Sequence, residues 1–156
     1  FSPAVQYQAP VLSAEGGTSL NAAIEAGLDA IENRKKIYRS QGISYYRPWL
    51  FVLTDGVPTD RDKEVPTMSR LKNAIENKKV VYIPMGIGFN ADIEKLQEYY
   101  PETAKAKPVL KAEANAFKEA FVWLSTSISQ VSHSDPTIAS EITLPDLPSG
   151  ITIGIS

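Results

Sequence analysis

The chain has 156 residues, 43% of them hydrophobic and 22% charged, which suits one globular domain with a sizeable core and excludes a disordered or fibrous chain. Sixteen basic and 18 acidic residues leave a formal charge of -2, so no sequence-wide attraction draws it to nucleic acid or an anionic membrane. It contains no cysteine, which removes thiol catalysis, iron–sulfur ligation and disulfides, and no apolar run approaches the ~20 residues that cross a bilayer.

After the loop "APVLSAEGGTS", residues Leu20, Ala23, Ile24, Gly27, Leu28 and Ile31 recur at i, i+3, i+4 and i+7, the spacing of one apolar helix face, and the helix is predicted to end near Arg39. "PWLFVLT" follows as a short, unalternating apolar run, the form of a strand covered on both faces of a parallel sheet. A helix from about Glu64 to Asn77 and a second buried run, "VVYIPMGIG", complete a βαβ unit. A short helix in "ADIEKLQEYY", a strand around "KPVL" and a long helix from about Ala114 to Val131 continue the alternation. This order predicts an α/β three-layer sandwich with a mostly parallel central sheet. Residues 134–156 change character: Pro and Ser rise and two β-like runs, "EITLP" and "GITIGI", appear, read as an appended hairpin or extended tail after a domain spanning 1–133.

In open α/β sheets, ligands collect outside the carboxyl ends of the strands. "LFVLTDGVPTD" ends there at Asp55, with Thr54, Thr59 and Asp60 on the same loop. "GGTSL" places Thr18 and Ser19 at the start of the first helix behind two glycines. Hard oxygen donors on two loops suit a small hard cation such as Mg²⁺. Each piece also has a plainer reading, Thr18 or Ser19 as a helix cap and Asp55-Gly56 as turn chemistry.

The two motifs together resemble the von Willebrand factor A (VWA) domain, in the bacterial intracellular branch that includes proteins associated with tellurium resistance. The resemblance runs from about Phe1 to Val131. It implies a metal-ion-dependent adhesion site to which the "GGT" and "TDG" loops contribute Thr18 and Asp55 as ligands of Mg²⁺, or of Mn²⁺ or Ca²⁺, with Ser19, Thr54 and Asp60 supporting those ligands or ordering the loops. In such a site the ion's open position accepts a carboxylate from a partner protein. The family's other ligands come from an Asp-x-Ser-x-Ser motif after its first strand. That motif is absent here; the nearest candidate, Asp146-Leu147-Pro148-Ser149-Gly150, has one Ser in the wrong position. The resemblance implies a further N-terminal segment, on the order of 30 residues or more, including a central strand beside "PWLFVLT". That edge is therefore expected to be filled by a second polypeptide piece, a swapped neighbour or the tail's own "ITIGI" run.

The remaining motifs carry less. Tyr45, Tyr46 and Arg47 in "SYYRPW" form a candidate partner rim, or pack under the sheet edge. His133 has no Cys or second His to share a metal, and "GIGF" fails the dinucleotide fingerprint at its third glycine. A phosphatase of the haloacid dehalogenase type is set aside, because aligning Asp55-Gly56 with its motif puts Leu53 at the nucleophile. The expectation is a non-enzymatic, metal-dependent protein-interaction module of a bacterial cytoplasmic protein, the alternative being a metal-free interaction domain of the same fold.

Overall fold

The computed structural model describes residues 16–133 and 145–154, together with Gln6, Gln8 and Val11. The elements are α1 (Leu20–Ser40), β1 (Trp49–Thr54), a 3₁₀ turn (Arg61–Lys63), α2 (Glu64–Glu76), β2 (Val81–Ile87), α3 (Ile93–Gln97), β3 (Val109–Ala112), α4 (Phe117–Ser132) and β4 (Ile151–Gly154). The strands form one sheet in the order β1-β2-β3-β4. β1 and β2 run parallel with Trp49 opposite Val81 and Thr54 opposite Gly86, and β3 continues the parallel order with Leu110 opposite Met85. β4 is antiparallel to β3. The result is the α/β layered fold that the alternation of elements predicts.

Alternate residues of β1 serve the two layers. Leu50 and Val52 point to the side where Leu20, Ile24 and Leu28 of α1, Leu71 of α2 and Leu96 of α3 are buried. Phe51 and Leu53 point to the opposite cluster, built on Ala120 and Trp123 of α4, Met85, Leu110 and Ile151. Pro84, which has no N–H to give, stands in β2 one residue before its register with β3 begins, where β1 is the paired neighbour.

α1 and α2 end alike. Gly42 (φ +66°) follows α1, its N–H bonding the Arg39 carbonyl (3.2 Å) and that of Ile43 the Tyr38 carbonyl (2.9 Å). After α2 the N–H of Lys78 bonds the Ile75 carbonyl (2.9 Å) and that of Lys79 the Ala74 carbonyl (2.8 Å). Both are Schellman closures, which need a left-handed residue past the last turn. At α2 that residue is Lys78 (φ 54°), not glycine.

The tail's "ITIG" run does not lie beside Trp49–Thr54. It pairs with β3, at the other side of the sheet. The physical reason is its anchorage on α4: the Trp123 indole N–H donates to the Pro145 carbonyl (3.0 Å), and Leu147 and Ile151 join the α4 cluster, so the chain re-enters the sheet next to β3. Among the described residues β1 has β2 as its one paired neighbour. The expected "EITLP" run, except for Pro145, and most of "APVLSAE" lie outside the described residues. No helix among the described residues is long and apolar enough to cross a membrane.

Candidate functional site

At the carboxyl end of β1 the chain folds back over the start of α1. Gly17 is where the two segments touch: a Cβ there would stand 2.6 Å from the Thr59 hydroxyl oxygen and 3.3 Å from its Cβ, so a side chain at this position displaces the neighbouring loop. Thr59 then donates both its backbone N–H (2.9 Å) and its hydroxyl (3.1 Å) to the Thr18 carbonyl.

Asp60 completes the clamp. Its carboxylate accepts the N–H groups of Ala22 (2.8 Å) and Asn21 (3.3 Å), two of the donors that the first turn of α1 leaves without helical partners. Ser19, the residue at the cap position, makes no side-chain cap bond. A carboxylate from 39 positions along the chain thus caps α1, and its charge suits the positive end of the helix dipole. Burial pushes the Asp60 carboxyl up, but the amides of Ala22 and Asn21 and the Asn21 side chain outweigh it and hold the group below its ordinary value.

Behind the clamp lies Asn21, fully buried in the first turn of α1. Its Nδ2 donates to the Asp60 carbonyl and carboxylate (3.1 Å each), and its Oδ1 accepts from the Tyr99 hydroxyl (2.7 Å). One amide therefore joins the loop after β1, helix α1 and the segment after α3. Thr54 orders the other half of the loop: its hydroxyl donates to the Gly56 carbonyl (3.1 Å) and accepts the Gly56 N–H (3.3 Å).

These contacts bring the Thr18 and Asp55 loops together at one edge of the sheet. The Thr18 hydroxyl lies 3.7 Å from where a Cβ on Gly56 would stand, beside the backbone that carries Asp55. Asp55 is exposed, and no described residue takes its carboxylate in a hydrogen bond or ion pair. Among the described residues neither the Asp55 carboxylate nor the Thr18 hydroxyl has a hydrogen-bond partner, so two hard oxygen donors stand uncommitted on loops that meet at this edge. They fall short of a metal shell: among the described residues no three carboxylate or imidazole groups gather closely enough to hold an ion. Thr54 and Asp60, expected near the ligands, are both engaged in ordering the loops.

Tyr45, Tyr46 and Arg47 are not brought to this edge. They precede β1, whose six residues separate them from Asp55 by roughly 20 Å. Tyr45 is half-buried against Tyr38, ring centroids 5.7 Å apart, while Arg47 is exposed.

Sequence reasoning missed Asn21 and Tyr99. Asn21 interrupts an otherwise apolar run at the helix start, and that polar residue on a buried face was the available signal. Tyr99 and Tyr100, at the end of "ADIEKLQEYY", are both buried, with rings against Tyr82.

Comparison of the chain with family models, curated proteins and solved structures finds no match. The likeness to the VWA domain therefore stands on "GGTSLNAAI" and "LFVLTDGVPTD" alone.

Proposed function

We propose that this chain is a protein-interaction module of the VWA type whose binding face is the loop edge around Thr18 and Asp55, and that a hard divalent cation, Mg²⁺ or Mn²⁺, joins it to a carboxylate of the partner. The observation that carries this reading is the exposed Asp55 carboxylate, without a partner among the described residues, on a loop that meets the Thr18 loop and is held there by Thr59, Asp60 and Asn21. Further donors come from residues outside these two loops, because Mg²⁺ gives up its waters reluctantly and is seldom held by one carboxylate and one hydroxyl. The module works by binding and needs no reaction. It belongs to a bacterial cytoplasmic protein on the same likeness.

Calorimetry with Mg²⁺ and with Mn²⁺ tests the reading. The chain alone should bind weakly. Adding a synthetic strand peptide that carries Asp-x-Ser-x-Ser should produce saturable binding, and Asp55→Ala should abolish it. Metal binding unchanged by Asp55→Ala would refute the assignment.

A metal-free interaction domain of the same fold is the second reading, favoured by the lack of a three-group cluster among the described residues. Undiminished partner capture in chelator and with Asp55→Ala selects it. Hydrolysis of a phosphate ester that depends on Asp55 would instead bring back an enzyme.

A further inference from the structure

At the opposite end of the sheet, where α1 and α2 finish and β1 and β2 begin, lies an open hollow of about 560 Å³. Six cationic side chains line it: Lys35, Lys36, Arg39, Arg47, Lys78 and Lys79. Against them stands a single lining carboxylate, Glu32, and Arg70 reaches that carboxylate at 3.4 Å from α2. A chain with a net charge of -2 has thus gathered more than a third of its 16 basic residues around one hollow.

Helix capping accounts for little of this. Arg39 lies in the last turn of α1, where a cation offsets the helix dipole, but α2 has no basic residue in its last turn and Arg47 belongs to neither helix. Nor do the cations satisfy one another. Lys35 is buried, its ammonium donates to the Lys79 carbonyl, and the charges of Arg39, Lys79 and Arg47 all bear on it unfavourably. Burial, then Arg39 and Lys79, lower its proton affinity. Like charges crowded about one ammonium raise the energy of the folded chain, and among the lining residues Glu32 alone offsets them, so a bound anion would relieve the remainder.

The cavity also has an apolar side. Leu28, Ile31 and Val80 contribute to its wall, and the Tyr45 ring stands over Lys35, centroid 5.9 Å from the ammonium. Its volume falls within the range of small-molecule sites. Two guanidinium groups, Arg39 and Arg47, offer the planar donor fork that phosphate oxygens match, with lysines as additional point charges.

From this juxtaposition we propose that the cavity between the ends of α1 and α2 binds a diphosphate group, with the phosphates on Arg39, Arg47 and the surrounding lysines. The diphosphate is either free or attached to an organic body resting on Leu28, Ile31 and Val80. The site is separate from the Thr18 and Asp55 loops and does not depend on their role.

Titration calorimetry of the full chain in metal-free, low-salt buffer tests this with two probes, inorganic pyrophosphate and ADP. Saturable 1:1 binding is expected for at least one of them, weakening steeply with added salt. Tighter binding of ADP assigns the apolar wall to an organic body; equal affinities assign the site to the diphosphate itself. Arg39→Gln and Arg47→Gln change exposed side chains and should leave the fold intact, verified by circular dichroism, while each weakens binding roughly tenfold or more, the loss expected for a charge-assisted hydrogen bond. Asp55→Ala should leave the affinity unchanged. Absence of saturable binding for both probes, or binding that both arginine variants retain at full strength, overturns the proposal.

Discussion

Asp60 shows how one side chain settles the geometry of the loop edge. Its carboxylate holds the first turn of α1 from a distant loop, a task usually given to the residue at the cap position itself, here Ser19. Replacing Asp60 with Ala leaves two backbone N–H donors, of Asn21 and Ala22, without their acceptor and the buried Asn21 amide one partner short. The expected cost is about 1–2 kcal/mol, read by urea or thermal denaturation. The acid limb of the stability curve carries the same signature. The folded carboxyl lies below its ordinary value of 3.8, so its contribution is complete above that pH and is lost as the pH falls through the lower folded value. Asp60→Asn should flatten this limb. A variant with unaltered stability and unaltered acid dependence would show that the clamp contributes nothing. A loop-ordering role for Asp60 was legible from its place in "TDGVPTD", but not its partner. A sequence gives the cap position of α1 by adjacency, and the long-range capping by a residue 39 positions away arises only once β1 has been laid beside the helix.

At the scale of elements, periodicity located the helices because their burial is one-sided: Leu20, Ile24 and Leu28 face the sheet at helical spacing. The strands were legible for the opposite reason, since both faces of "WLFVLT" meet apolar neighbours. What escaped was the destination of "ITIG". Its pattern fits an edge strand on either side of the sheet, and the choice was made by Trp123, whose indole holds the Pro145 carbonyl and fixes where the returning chain meets the sheet. The same scale explains why Lys78 is unusual. The Schellman closure of α2 calls for a left-handed residue, a conformation that glycine adopts freely and lysine at a cost of roughly 1 kcal/mol. Lys78→Gly should therefore leave the chain as stable or stabilise it by up to about 1 kcal/mol, seen as an unchanged or raised Tm. If the lysine is held there for its charge at the cavity, the same variant weakens diphosphate binding. Clear destabilisation by Lys78→Gly would mean that the lysine makes contacts that outweigh its backbone strain.

For the molecule as a whole, the parallel order of β1, β2 and β3 puts two unlike surfaces at opposite ends of one sheet. The carboxyl end carries an exposed acid and a hydroxyl on clamped loops; the amino end carries crowded cations around a hollow. The charge total hides the cation cluster, because a net -2 averages six clustered basic residues with 18 acidic ones along the whole chain. The most direct check on the loop edge is paramagnetic broadening of the amide spectrum by Mn²⁺, since it locates even a millimolar site. Substoichiometric Mn²⁺ should broaden first the amides of Gly16, Gly17, Thr18, Ser19, Asp55, Gly56, Val57, Thr59 and Asp60, and Asp55→Ala should erase that pattern while the rest of the spectrum stays unchanged. Broadening centred elsewhere, or an identical pattern in the Asp55→Ala variant, would contradict a cation site built on Thr18 and Asp55.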